Sequence, residues 1–297
     1  MVQRPIQRES VMGELGRKFR QHMLLRGFAE ATKESYEHAL VDLVRAYDGK
    51  SPDLLTNEQI QAHVARLTSE RHLAWTTINV YVSAYKIFFH DLLQRPNSEF
   101  SLPRRGRARI RPHVLDRASV RKILDAHKNL KHRAFLAMVY GSGLRVSEAC
   151  RLRPCDIESA PDRMMVRVEQ AKGRKDRYTL LSSSALELLR EYWLKYRLTG
   201  GWVFPRRGTS EPFSVAGAQH VYWNACAKAG ISRARAHGIH TLRHCFASHL
   251  MEDGVALPLI QRLLGQNDLS TTSVYCHVSR ALLENVRSPA DRLADAK

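Results

Sequence analysis

The chain has 297 residues, 44% of them hydrophobic and 26% charged, enough for two domains with a core each. No apolar run approaches the length of a membrane span, and MVQRPIQRESVMGE lacks the apolar centre of a signal peptide; a reducing, cytoplasmic setting is expected. The formal net charge of +18 repels itself in a compact chain and calls for an anionic partner, most often nucleic acid.

The N-terminal part reads as helices. Phe28 to Tyr47 carries Tyr36, Leu40, Leu43 and Val44 as a helical stripe, and Thr56-Asn57-Glu58-Gln59 has the pattern of a capping box opening a helix through Ile60, Val64 and Leu67. Thr76 to Leu93 places Ile78, Val82, Tyr85, Phe89 and Leu92 on one face; its β-branched residues would also suit a strand, but its length favours helix. Pro96, Asn97, Ser98 and Pro103 then break the pattern. Arg104, Arg105, Arg107, Arg109 and Arg111 follow nearly every second residue, so residues 99–112 read as a basic linker, either a solvated loop or an arm lying along phosphates.

A second domain is expected over residues 113–297, after a first over 1–98. Ala118 to Leu130 and His132 to Tyr140 read as helices, Gly141 and Gly143 interrupt the chain, and a short helix passes through Val146 to Ala149. RMMVRVEQAKGRKDRYTLL alternates around a Gly/Lys/Asp turn, a β-hairpin signal. Ser184 to Arg197, Val215 to Ala229, Thr241 to Glu252 and Leu257 to Leu264 read as further helices, and Ser270 to Tyr275 as the start of another. The five cysteines, at 150, 155, 226, 245 and 276, form no Cys-x-x-Cys pair or zinc-finger spacing and read as free thiols.

Chemistry concentrates in four places. GSGLRVSE sets Arg145 behind two glycines at the mouth of a short helix; GIHTLRH sets His240 three residues before Arg243. Two guanidinium groups facing one phosphodiester would match the charge that builds on its non-bridging oxygens during attack. A neutral imidazole can take a proton at cellular pH. Lys172, with Arg174 and Lys175, lies in the hairpin turn, where a lysine among cations can protonate a leaving oxygen. Tyr275 can act as a phenolate nucleophile or be a core tyrosine. His240 and His244, four residues apart, also fit a zinc pair, but no HExxH glutamate and no third ligand accompany them.

The ordered set, Arg after Gly-x-Gly, Lys in a hairpin, His-x-x-Arg, then Tyr, resembles the tyrosine recombinase (phage integrase-like) family. Its boxes appear as GSGLRVSE, AKGRKDR, HTLRHCFASHL and LLGQNDLSTTSVYCHV, and the resemblance covers nearly the whole chain. It implies a mainly α fold with a small β-sheet in the catalytic domain. The two domains would form a C-shaped DNA clamp, an N-terminal helical core-binding bundle followed by a catalytic α+β domain. By resemblance, Arg145 and Arg243 hold the scissile phosphate, His240 manages a proton, Lys172 is the general acid for the 5′-oxygen, and Tyr275 forms the 3′-phosphotyrosyl link. Glu148 supports the site, and His244 stands behind it. The family's His or Trp after LLG is replaced by Gln266, which donates a hydrogen bond but carries no charge. The reaction needs neither cofactor nor metal.

The implied partners are duplex DNA and, in a synapse, a homotetramer on two duplexes, with the tail around Ala281 to Val286 docking on a neighbouring protomer. No added arm-binding domain stands before Met12 and no long insertion precedes GIHTLRH, so a compact, Xer-like recombinase of a mobile element is expected. A type IB topoisomerase-like nicking-closing enzyme and a catalytically weakened DNA-binding accessory protein remain open alternatives.

Overall fold

The computed structural model describes residues 8–95, 100–102, 114–169, 176–197 and 200–266. The chain divides into two compact units, Met1–Arg109 and Ile110–Lys297.

The first unit is helical: α1 (Arg8–Leu25), α2 (Glu30–Ala46), α3 (Asn57–Ser69) and α4 (Trp75–Tyr85). The Thr56 signal is realised as a full capping box, with Gln59 N donating to Thr56 Oγ1 at 3.2 Å and Thr56 N to Gln59 Oε1 at 3.0 Å. Phe19, Leu40, Val44, Ile60, Val64 and Tyr85 fill the core between the helices. The expected single helix to Leu93 is corrected here: α-geometry stops at Tyr85 and Lys86–Leu92 is π-wound. In this segment the consecutive Phe88 and Phe89 are both completely buried. Phe100 packs against Phe89 and Tyr85 edge-on, so the chain returns to this core after the helices end.

The second unit begins with α5 (Arg117–Asp125), capped by Asp116 accepting from Ser119 N at 2.7 Å, and α6 (Leu130–Gly141). Here too the sequence reading needs correction. Ala118 to Leu130 is not one helix: α5 stops at Asp125, and Asn129, outside helical geometry, caps α6 with its side chain. Next come α7 (Val146–Cys150) and an antiparallel sheet of β1 (Ile157–Glu158), β2 (Met165–Val168) and β3 (Arg177–Leu180), in that spatial order. The β2–β3 pair is the expected hairpin, with Val166 opposite Thr179 and Val168 opposite Arg177. Then follow α8 (Ser183–Tyr196), α9 (Val215–Lys228), α10 (Arg233–Ala236), α11 (His240–Glu252) and α12 (Leu257–Leu264). Strand β1 and the one-turn helix α10 are too short to leave a periodic signal.

The core of this unit runs through Phe135, Met138, Leu144, Val166, Phe204, Tyr222 and Leu242, and it holds α6 and α11 as buried struts. A second cluster, Phe246, Met251, Ile260 and Leu264, fastens α12 to α11. At the turn between α6 and α7, Gly143 has φ +60, and a Cβ there would lie 2.3 Å from Cδ1 of Phe246. Only glycine lets this turn approach α11 so closely. Gly143→Ala should therefore cost about 2–4 kcal/mol through strain and overpacking, lowering the thermal midpoint by about 5–10 °C. A scanning calorimetry midpoint within a degree of the parent would contradict that contact.

Candidate active site

The site grows from the turn that Gly143 shapes. Arg145 is the N-cap of α7, in extended geometry, and Glu148 stands three residues on in the first turn. Glu148 Oε2 accepts the Arg145 backbone N–H at 2.7 Å, the carboxylate half of a capping box, and Oε1 accepts Arg145 Nη1 at 2.7 Å. The SE pair after Arg145 is thus a local device that starts a helix and turns the arginine at once.

Arg243 arrives from a different element. It sits one turn into α11, 5% exposed, donating from Nη1 to Gly143 O and from Nη2 to Leu264 O, both at 2.6 Å. Its Nη1 lies 3.8 Å from Glu148 Oε2. Residues about a hundred positions apart in the chain are thus gathered around one carboxylate.

A third arginine joins them that the sequence reading passed over. Arg177, the last letter of AKGRKDR, is 7% exposed on β3. Its two terminal nitrogens fork onto Glu148 at 2.9 and 2.7 Å, and its Nε donates to Leu263 O at 3.0 Å. On β3 the burial is inverted: Arg177 and Thr179 point inward while Tyr178 and Leu180 are exposed. The polar face can turn in because it is satisfied there, Thr179 Oγ1 donating to Ser142 O at 2.7 Å. The signal available in sequence was its place as the last residue of the AKGRKDR box, which was quoted without a role for it.

Burial alone would raise the Glu148 carboxyl, but the hydrogen bonds and charge of Arg177, with the two donations from Arg145, outweigh it and hold it at about 2. The carboxylate is therefore ionised throughout the physiological range. Three guanidinium groups around it leave an excess of positive charge.

The three arginines also share a second partner. Consecutive carbonyls at the end of α12 accept from them: Leu263 O from Arg177, Leu264 O from Arg243, and Gly265 O from Arg145 Nη2 at 3.3 Å. These are the orphan carbonyls of a helix C-terminus, where positive charge is favourable. Gly265 takes the left-handed conformation, φ +61, that ends the helix, and half-buried Gln266 follows, its N–H donating to Gln261 O at 3.2 Å.

His240 is the first residue of α11, at the surface, three residues before Arg243 and hence on the same side of the helix. Partial desolvation, then the charges of Arg243 and Arg145, lower its pKa, which keeps the imidazole neutral near pH 7. His244, half-buried behind it, is pushed down to about 4 by burial, His240 and Arg243. Among the described residues no group of three His, Cys, Asp or Glu side chains could hold a metal ion. Beside Arg145 and Glu148 opens a groove of about 470 Å³, lined also by Arg151, Arg153, Arg167 and Trp202. Lys172, Arg174, Lys175 and Tyr275, the arginines at 104, 105, 107, 109 and 111, and the tail from 281 to 286 lie outside the described residues.

Two family models match the chain. The phage integrase family matches residues 113–281, and the phage integrase N-terminal SAM-like domain matches residues 15–99. The chain belongs to the phage integrase family. As a member it is a tyrosine-type site-specific recombinase. Among its relatives, the integrase/recombinase y4qK of Sinorhizobium fredii is 38% identical over 290 residues, spanning 96% of this chain and 91% of the relative. Tyrosine recombinase XerC of Pediococcus pentosaceus is 29% identical, covering 95% of this chain and all of that protein (100%). The solved structure of XerH recombinase bound to palindromic difH substrate superimposes with a TM-score of 0.72 at 18% identity, over 93% of this chain and 95% of that one. The Tn1549 transposon integrase in complex with circular intermediate DNA gives 0.67 at 17%, over 95% and 99%. The family's mainly helical, two-domain fold with a small antiparallel sheet is the fold of this recombinase. No helix among its described residues is long and apolar enough to cross a membrane.

Proposed function

We propose that this recombinase cleaves duplex DNA by attack of Tyr275 on a phosphodiester that Arg145 and Arg243 hold. The observation that carries the reading is the gathering of both arginines around Glu148, with Arg145 one-third exposed beside the groove. Guanidinium donors fixed before substrate arrives stabilise the charge that develops on the non-bridging oxygens without reorganising during the step. The Tyr275 hydroxyl proton passes to His240, whose depressed pKa keeps it a base. The Tyr275 Oη–P bond forms as the P–O5′ bond breaks, and the departing 5′-oxygen takes a proton from Lys172. A 5′-hydroxyl from a second strand then reverses the step, so the bond energy is conserved and no cofactor is consumed.

In this reading the first domain ends near residue 98, the linker's Phe100 folding back onto its core, and the arginines at 104, 105, 107, 109 and 111 lie on the DNA backbone, with Arg174 and Lys175 beside the scissile strand. Four protomers synapse two duplexes, each tail around residues 281–286 docking on a neighbour, inside the cytoplasm. The likeness to a transposon integrase favours movement of a mobile element as the task.

The test is covalent trapping: purified protein, nicked DNA carrying sequence from around its own gene, denaturation in SDS, and a search for a protein–DNA adduct. Tight, salt-dependent binding without an adduct would instead support an accessory DNA-binding role.

Gln266 sets the rate within this scheme. It follows the three capped carbonyls and replaces a charged or proton-carrying donor with an amide. Gln266→His should speed adduct formation about tenfold, part of the roughly 3–4 kcal/mol that a whole donor is worth. An unchanged rate would show that this position does not limit cleavage.

A further inference from the structure

We infer that Arg177 is a positioning residue for strand cleavage: it takes up the Glu148 carboxylate so that Arg145 is oriented by that carboxylate without being captured by it. This rests on the reading of Arg145 as a phosphate holder.

The geometry divides the work between the two arginines. Each Glu148 oxygen accepts twice, once from each arginine residue. Arg177 commits both terminal nitrogens, a fork on a fork, whereas only Nη1 of the Arg145 side chain reaches the carboxylate. The Arg177 side chain is 6% exposed and that of Arg145 is 34% exposed. The buried cation thus neutralises the buried anion, and the other stays at the mouth of the groove. Arg177 also fixes where this happens, because its Nε is tied to Leu263 O on α12.

Without Arg177, a buried carboxylate would face Arg145 as its nearest cation. The bidentate pairing that arginine favours would then form between those two, and the phosphate would lose its holder. A residue that merely stabilised the fold would have no such dependence on the charge of Glu148.

The experiment compares Arg177→Met, Arg177→Lys and the double variant Arg177→Met with Glu148→Gln, using the nicked self-site DNA at saturation in single turnover. Arg177→Met should slow adduct formation by about a hundredfold while DNA affinity moves by less than about threefold. Removing the stranded charge should rescue it, the double variant running at least about tenfold faster than Arg177→Met alone. Arg177→Lys, which keeps the charge and loses the fork, should fall between, about tenfold below the parent. Arg177→Met within threefold of the parent, or a double variant no faster than the single, overturns the inference. If Arg177→Met does not fold, Arg177→Lys carries the test by the same threefold criterion. A parent that forms no adduct, or an adduct that survives Tyr275→Phe, would instead sink the reading of Tyr275. The inference is then decided by carbon-13 NMR titration of the Glu148 carboxyl. In Arg177→Met that titration should move up by more than about two pH units, and in Arg177→Lys by less; an unmoved curve overturns it.

Discussion

Tyr275→Phe should abolish the covalent protein–DNA adduct altogether, with DNA affinity within about threefold of the parent. The substitution removes one oxygen and leaves the ring, so whatever packing the aromatic body provides is retained. No other group substitutes for the missing nucleophile on the same trajectory, because in-line attack needs an oxygen within about 3–3.5 Å of phosphorus, opposite the leaving group. The loss is therefore categorical, unlike the graded losses expected where a supporting donor is removed. SDS gel mobility of end-labelled DNA reads it directly, and proteolysis of the parent adduct should leave the label on the peptide that contains residue 275. An adduct that persists in Tyr275→Phe would move the search to another hydroxyl.

The second large effect belongs to Arg243. Arg243→Ala should slow adduct formation by about 10³-fold or more, the loss of a preorganised donor to developing negative charge. It should also destabilise the fold. The side chain is buried and donates to Gly143 O and Leu264 O, so truncation strands two carbonyls, at about 1–3 kcal/mol each, and leaves a void. The two losses separate by temperature. Cleavage measured well below the lowered midpoint should still be depressed by the full factor, whereas a purely structural role would restore it on cooling. Arg243→Lys cannot span both carbonyls from a single nitrogen and should recover little of either.

How far such a site can be read from sequence depends on whether its parts are local. The capping box at Thr56 and the hairpin around residues 165–180 were legible because both are set within a few residues of chain. The Arg145–Glu148 unit is equally local, a glutamate one helical turn after an arginine, but it was the family pattern that pointed to Glu148. The partnership of Arg243 with Gly143 and Leu264 is long-range and left no sign in the sequence; the family pattern pointed to Arg243 alone. Arg177 escaped because strand β3 turns its polar residues inward and its Tyr178 and Leu180 outward, against the alternation by which strands are usually oriented. The π-wound segment at Lys86–Leu92 escaped because its apolar residues also fit an α-helical face, so only the backbone geometry shows the wider turn. Residues that answer to a distant partner leave no periodic trace.

The end of α12 also bears on how this site tolerates drift. Three arginines read main-chain oxygens at 263, 264 and 265, so those contacts are indifferent to which side chains the positions carry. Leu264 answers to its hydrophobic neighbours and Gly265 to its left-handed backbone, and the electrostatic anchorage of the helix survives any substitution that keeps that packing and that turn. A catalytic centre seated on backbone rather than on side chains can keep its geometry while the surrounding sequence diverges, and a partner surface or target preference can be retuned nearby without dismantling the chemistry.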